Sequence, residues 1–131
     1  MAAAIEKLKI LIVDDNLQAR AMIRMMCQAM GIDQMFTAND GKEALDFLGD
    51  AADLVNLIIC DWRMPRLSGI ELLRQIRTVD SAIRFLMLTG LATPDSVAAA
   101  RDLGVSAYLK KPCSPEQLET RLLTLADGVD E

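Results

Sequence analysis

Five short apolar runs alternate with segments of helical periodicity, and this alternation constrains the chain more than any other feature in it. Lys9 to Val13 runs into Asp14 and Asp15, and Ile23, Met26, Cys27 and Met30 then repeat at helix spacing up to Gly31, a natural helix stop. Met35 to Ala38 reads as a second strand, Asn39-Asp40-Gly41 as a turn or helix start, and Lys42 to Leu48 as a second helix. Leu54 to Cys60 is apolar apart from Asn56, as a central parallel strand covered on both faces should be. It meets Asp61, and a helix from Ile70 to Val79 follows Ser68-Gly69. Arg84 to Leu88 leads to Thr89-Gly90, and Pro94 opens a helix through Leu103. Ala107 to Leu109 precedes Lys110-Lys111-Pro112 and a last helix from Pro115 to Leu125, leaving Ala126 to Glu131 as a frayed acidic end.

Strict βα alternation predicts a parallel sheet with helices on both faces. The expected fold is therefore α/β, and taken as a flavodoxin-like (βα)5 three-layer sandwich it has the strand order 2-1-3-4-5. With 131 residues and no linker, repeat or low-complexity stretch, the chain is expected to be one domain, its core at about 9–125.

Composition narrows the function. The net charge is −5, there is no histidine, and the basic residues are scattered, so a direct nucleic-acid binder is not expected. No apolar run approaches signal-peptide or membrane-span length, which predicts a soluble, cytoplasmic protein. Cys27, Cys60 and Cys113 are far apart and outside any CxxC, so they read as three buried thiols. The four methionines of the first helix could form an adaptable binding groove, but their spacing favours the core for most of them.

In an open parallel sheet, ligands bind beyond the carboxyl ends of the strands, where the strand order reverses. The residues at those ends are Asp14, Asp15, Asp61, Thr89, Lys110 and Lys111. In the order 2-1-3-4-5 the first and third strands are neighbours, which gathers three carboxylates into one pocket. At about 4 Å each like-charged pair repels by roughly 4 kcal/mol at an effective dielectric of about 20, so a proton or a cation must share the site. A hard divalent ion with oxygen ligands fits best, and Mg²⁺ typically takes one or two carboxylates together with a phosphate oxygen. Asp61 is then the natural nucleophile toward a phosphoryl group, with Lys111 and Thr89 on the remaining oxygens. Each of these residues alone would be an ordinary cap or turn residue. Their placement at one edge of successive strands is what carries the argument.

These residues resemble the response-regulator receiver family, and especially its stand-alone chemotaxis-type members, from about Lys9 to Leu125. The matching motifs are Ile12-Val13-Asp14-Asp15, Asp61-Trp62-Arg63-Met64-Pro65, Ser68-Gly69-Ile70-Glu71-Leu72, Leu88-Thr89-Gly90 and Tyr108-Leu109-Lys110-Lys111-Pro112. The resemblance implies that Asp61 takes a phosphoryl group from a histidine kinase or a histidine phosphotransfer protein. It implies that Asp15, Asp61 and the backbone carbonyl of Arg63 bind Mg²⁺, with Asp14 acting mainly through water. Lys111, rather than Lys110, would pair with the phosphoryl group, because the family's lysine directly precedes proline; a cis Lys111-Pro112 bond would aim it inward. Thr89 and Tyr108 would form a switch acting on the face built by the fourth helix, fifth strand and fifth helix, from which a downstream protein reads the signal. Arg63 and Leu91 occupy positions that vary within the family and flank the path of the attacking water. Arg63 either covers the phosphoryl group, meets a partner's carboxylate or is simply solvated. Trp62 would report metal binding by fluorescence.

Three rival readings fit less well. A haloacid-dehalogenase-type phosphatase needs a second aspartate two residues after the nucleophile, where this chain has Arg63, which cannot exchange protons. A flavodoxin-type carrier of FMN would meet Asp14-Asp15 where its phosphate loop should be. A pseudo-receiver, binding without phosphorylation, would have no need of the full set Asp14, Asp15, Asp61, Thr89 and Lys111.

Overall fold

The computed structural model describes residues 5–80 and 82–127. Its strands are β1 (Lys9–Val13), β2 (Gln34–Ala38), β3 (Leu57–Cys60), β4 (Arg84–Thr89) and β5 (Ala107–Lys110). The helices are α1 (Leu17–Ala29), α2 (Gly41–Ala51), α3 (Gly69–Val79), α4 (Pro94–Asp102) and α5 (Pro115–Ala126). All strand pairs are parallel, as the alternation predicted, and the order is β2-β1-β3-β4-β5, as expected of the flavodoxin-like arrangement.

The pleat divides the core in two. Ile10, Ile12, Leu57, Ile59, Leu86 and Leu88 pack with Ile23 and Cys27 of α1 and with Leu118 and Leu122 of α5. The alternate residues Leu11, Val13, Ile58, Cys60, Phe85 and Met87 pack with Ala44 of α2, Leu72, Leu73 and Ile76 of α3 and Ala100 of α4. Burial on both faces explains why β3 reads as an unbroken apolar run rather than an alternating one.

Each helix begins on a polar side chain at the end of a βα loop, which accepts a backbone N–H of the first turn. The caps are Asn16, Asp40, Ser68, Thr93 and Ser114. Caps of this kind satisfy amides that the helix itself leaves unpaired, and they fix the direction in which each βα loop leaves the sheet.

Several sequence expectations are corrected. β3 starts at Leu57, not Leu54, because Ala52–Leu54 form a turn of 3-10 helix. The Asn56 side chain then accepts the Lys9 N–H at 2.8 Å instead of continuing the apolar strand. The methionines of α1 do not fill the core: Met22 and Met25 are exposed, at 58% and 64%, while Met26 and Met30 only flank it. Ile23 and Cys27, four residues apart, take the inward stripe and leave the methionines beside or opposite it. Ala126 is not frayed; it closes α5 as a core residue 1% exposed. The rest of the expected acidic end, 128–131, lies outside the described residues. Cys27 and Cys60 are buried free thiols as expected, but Cys113 is only half-buried. Burial, reinforced by Cys113, pushes the Cys27 thiol up to about 12. Among the described residues no helix is long and apolar enough to cross a membrane.

Candidate functional site: a carboxylate cluster at the strand ends

Val13 is in register with Cys60 across β1 and β3, so the next residues, Asp14 and Asp61, emerge side by side. Asp61 N–H donates to the Val13 carbonyl at 3.0 Å and carries the pairing one step past the strands. One carboxylate oxygen from each of Asp14, Asp15 and Asp61 lies within 4.8 Å of the others. Asp14 is buried, Asp61 half-buried and Asp15 exposed. The sequence thus located all three acidic members of the cluster.

Asp14 is held on every side. Its Oδ1 accepts the Asn16 N–H at 2.9 Å, its carbonyl accepts Arg20 Nη1 at 2.7 Å, and its Oδ2 receives Lys111 Nζ at 2.6 Å. Asp61 Oδ1 accepts the N–H of Trp62 at 2.7 Å, and Oδ2 lies 3.2 Å from Lys111 Nζ. Helix α3 also starts against Asp61: Gly69 N–H donates to Trp62 O at 2.7 Å, and a Cβ on Gly69 would stand 2.0 Å from the Asp61 carbonyl oxygen.

Lys111 is the lysine that enters the site; Lys110 is exposed. Thr89 pairs with Lys110 across β4 and β5, and Lys111 N–H donates to the Thr89 carbonyl at 2.9 Å, bringing the next side chain over the carboxylates. The Lys111-Pro112 peptide is cis, as expected. Burial disfavours the Lys111 charge, but its hydrogen bond to Asp14 and the charges of Asp14 and Asp61 outweigh this and raise its pKa above the usual lysine value. The buried Cys60 thiol behind the cluster is pushed far up, first by burial and then by Asp61 and Asp14, so it stays neutral.

The switch candidates stand on neighbouring strands, Thr89 at the end of β4 and Tyr108 in β5. Thr89 is 2% exposed, and its hydroxyl accepts the Leu91 N–H at 3.2 Å. Asp61, Arg63, Thr89, Gly90 and Leu91 line a cavity of about 320 Å³. The Tyr108 hydroxyl donates to the Leu91 carbonyl and lies 3.3 Å from Ser96 Oγ, linking β5 to the β4–α4 loop. The Arg63 side chain is exposed, and Trp62 is half-buried beside Asp61. A larger apolar groove of about 490 Å³, lined by Met22, Met26, Pro112 and Cys113 among others, borders Lys111 but lies outside the carboxylate cluster.

Sequence reading missed Arg20, Ser96 and the Arg66–Asp40 ion pair. Arg20 is one helical turn beyond the Asn16 cap, a position that could have flagged it. The other two depend on contacts across 12 and 26 residues of chain and leave no local signal.

Three carboxylates and one ammonium leave a net charge of about −2 among these four side chains. A divalent cation with oxygen ligands matches both that charge and that donor set. The residues present therefore fit Mg²⁺.

Comparison with known proteins agrees with this geometry. The family described as response regulator receiver domain matches residues 10–123. Two curated relatives are a probable transcriptional regulator of Porphyridium aerugineum, 32% identical over 96% of this chain, and the response regulator MprA of Mycolicibacterium vanbaalenii, 35% identical over 89% of it. The alignments cover 51% and 49% of those proteins, so the chain spans about half their length. Among solved structures, the chemotaxis protein CheY4 of Vibrio cholerae is 32% identical with a TM-score of 0.82, covering 90% of this chain and 98% of that one. A receiver domain protein from Clostridium thermocellum is 27% identical with a TM-score of 0.84, covering 92% and 94%. The chain belongs to the response regulator receiver domain family of two-component signalling.

Proposed function

We propose that this chain is a phospho-accepting switch in which Asp61 takes a phosphoryl group from a phosphohistidine on a kinase or phosphotransfer protein. The observation that carries the proposal is the single ammonium of Lys111 bridging Asp14 and Asp61 at the edge of a cavity that also contains Thr89. An Asp61 carboxylate oxygen attacks phosphorus, the P–N bond breaks, and the electron pair leaves on the histidine ring nitrogen. The product is an acyl phosphate.

Catalysis here is mostly positioning and charge neutralisation, since the transferring group has a loose transition state. The Trp62 amide and Lys111 orient the Asp61 carboxylate before transfer. Lys111 can remain paired with Asp14 while it meets a phosphoryl oxygen, so its charge stays in place throughout. Asp15, Asp61 and the Arg63 carbonyl would hold Mg²⁺, with Asp14 acting through water; the ion would neutralise phosphoryl oxygens as charge develops on them. Thr89 would turn its hydroxyl from the Leu91 amide to the phosphoryl group. The loop carrying Leu91 is tied to Tyr108, so this turn would bias the surface formed by α4, β5 and α5, which a downstream protein would read.

The test is chemical. After incubation with acetyl phosphate and Mg²⁺, borohydride should reduce an acyl phosphate at Asp61 to the corresponding alcohol, found in the peptide that contains residue 61. Reduction at another carboxylate, or none, would reject Asp61 as the acceptor.

A further inference from the structure

The loop between β3 and α3 carries Arg63, whose carbonyl the proposed function assigns to the metal, yet it has little regular structure of its own. Its internal backbone bonds are Leu67 N–H to Pro65 O at 2.7 Å and the Gly69 contact described above. In its middle Arg66 stands at φ 69°, a region that a residue with a side chain enters only when its surroundings enforce it.

Those surroundings belong to α2. Arg66 Nε lies 2.8 Å from Asp40 Oδ2 and Nη2 lies 3.2 Å from Oδ1, a two-pronged pair. The Asp40 side chain is 7% exposed, and its Oδ1 also caps α2 by accepting the Glu43 N–H at 2.9 Å. Next to it, Gly41 N–H donates to the Leu67 carbonyl at 3.2 Å, and a Cβ on Gly41 would stand 2.6 Å from that oxygen. The loop is thus fastened at two adjacent points to a helix start that carries none of the candidate site residues.

Exposed ion pairs usually contribute little, because two flexible side chains must be held and water screens them. Here one partner is buried and already fixed as a cap, and the contact is bidentate. Pro65, with its locked φ, stiffens the short path from Arg66 back to Arg63.

We infer that Asp40 and Arg66 are positioning residues that hold the β3–α3 loop so that the Arg63 carbonyl faces the carboxylate cluster, making divalent-cation affinity depend on this pair. The inference rests on the metal reading given above. A related idea, that the pair merely stabilises the fold, predicts a different outcome.

The test is a Mg²⁺ titration of the wild type, Arg66→Ala, Asp40→Asn and the double variant, followed by Trp62 fluorescence and by calorimetry. Asparagine is also a good helix cap, so Asp40→Asn removes the charge and keeps α2 capped. Each single variant should weaken Mg²⁺ binding by about tenfold, the low end of the cost of losing an outer partner of a metal site. The double variant should be no weaker than either single one, and Arg66→Lys should recover part of the loss. Labelling by acetyl phosphate should slow at low Mg²⁺ and return to the wild-type rate at saturating Mg²⁺. Unchanged Mg²⁺ affinity in variants whose thermal stability falls would overturn the inference and leave the pair a purely structural contact. No Mg²⁺ response in the wild type would instead reject the metal reading, and this inference with it.

Discussion

Lys111 Nζ lies 2.6 Å from Asp14 Oδ2 and 3.2 Å from Asp61 Oδ2, so one ammonium joins the end of β5 to the ends of β1 and β3. The repulsion among the carboxylates is therefore answered partly from within the chain. Replacing Lys111 by Met should destabilise the Mg²⁺-free protein by about 1–2 kcal/mol after allowance for its partial exposure, and added Mg²⁺ should recover part of that. Urea unfolding with and without Mg²⁺ measures both effects; equal midpoints for the two proteins would mean that the contact contributes nothing.

Two glycines should respond in opposite directions. A Cβ on Gly69 would collide with the Asp61 carbonyl oxygen at 2.0 Å, so Gly69→Ala should cost about 1–3 kcal/mol or more and disturb Asp61. Gly49, inside α2, has nothing within 4 Å of its added Cβ, so Gly49→Ala should stabilise by about 0.5–1 kcal/mol. Thermal unfolding of the two variants is the comparison.

The helix α1 provides a test of the corrected core. Ile23→Ala should cost about 2–4 kcal/mol, whereas Met25→Ala on the exposed face should stay within about 0.5 kcal/mol of the wild type. Denaturant midpoints would separate these outcomes clearly.

The Asp40 carboxyl is held below its usual range, chiefly by its hydrogen bond from Arg66. A carboxylate whose pKa is lower folded than unfolded adds stability above its ordinary value of 3.8, and that addition fades as pH falls through the lower folded value. The wild type should therefore be more stable than Asp40→Asn from neutral pH down to about pH 4, and the difference should shrink below it. Urea midpoints from pH 7 to pH 2 follow this; a difference that grew in acid would contradict it.

Much of this was legible because parallel strands covered on both faces must be apolar and because each strand hands its next residue to a common edge. Asp14 and Asp61 follow from that rule and from register, and the parallel sheet follows from alternation, whereas the choice of Lys111 over Lys110 came from the family resemblance and the strand order from the flavodoxin-like pattern. What local pattern did not reveal depends on packing between distant segments. Asn56 looked like an interruption inside a strand, but its amide bonds Lys9 N–H from 47 residues away and so sets where β3 begins. The methionines of α1 satisfy a helical repeat as well as Ile23 and Cys27 do, and only the orientation of the helix on the sheet decides which stripe turns inward. Asp40 was visible as a turn residue, while its bond to Arg66 was not, because charges scattered along a chain do not announce their partners.

Everything proposed for the site depends on Asp61 accepting a phosphoryl group with the help of a divalent cation. The most direct measurement is the intact mass of the wild type and Asp61→Asn after incubation with acetyl phosphate, with Mg²⁺ and with chelator. The wild type should gain one phosphoryl group with Mg²⁺ alone, and the variant none. Equal labelling of the two proteins, or no labelling of the wild type under either condition, would contradict it.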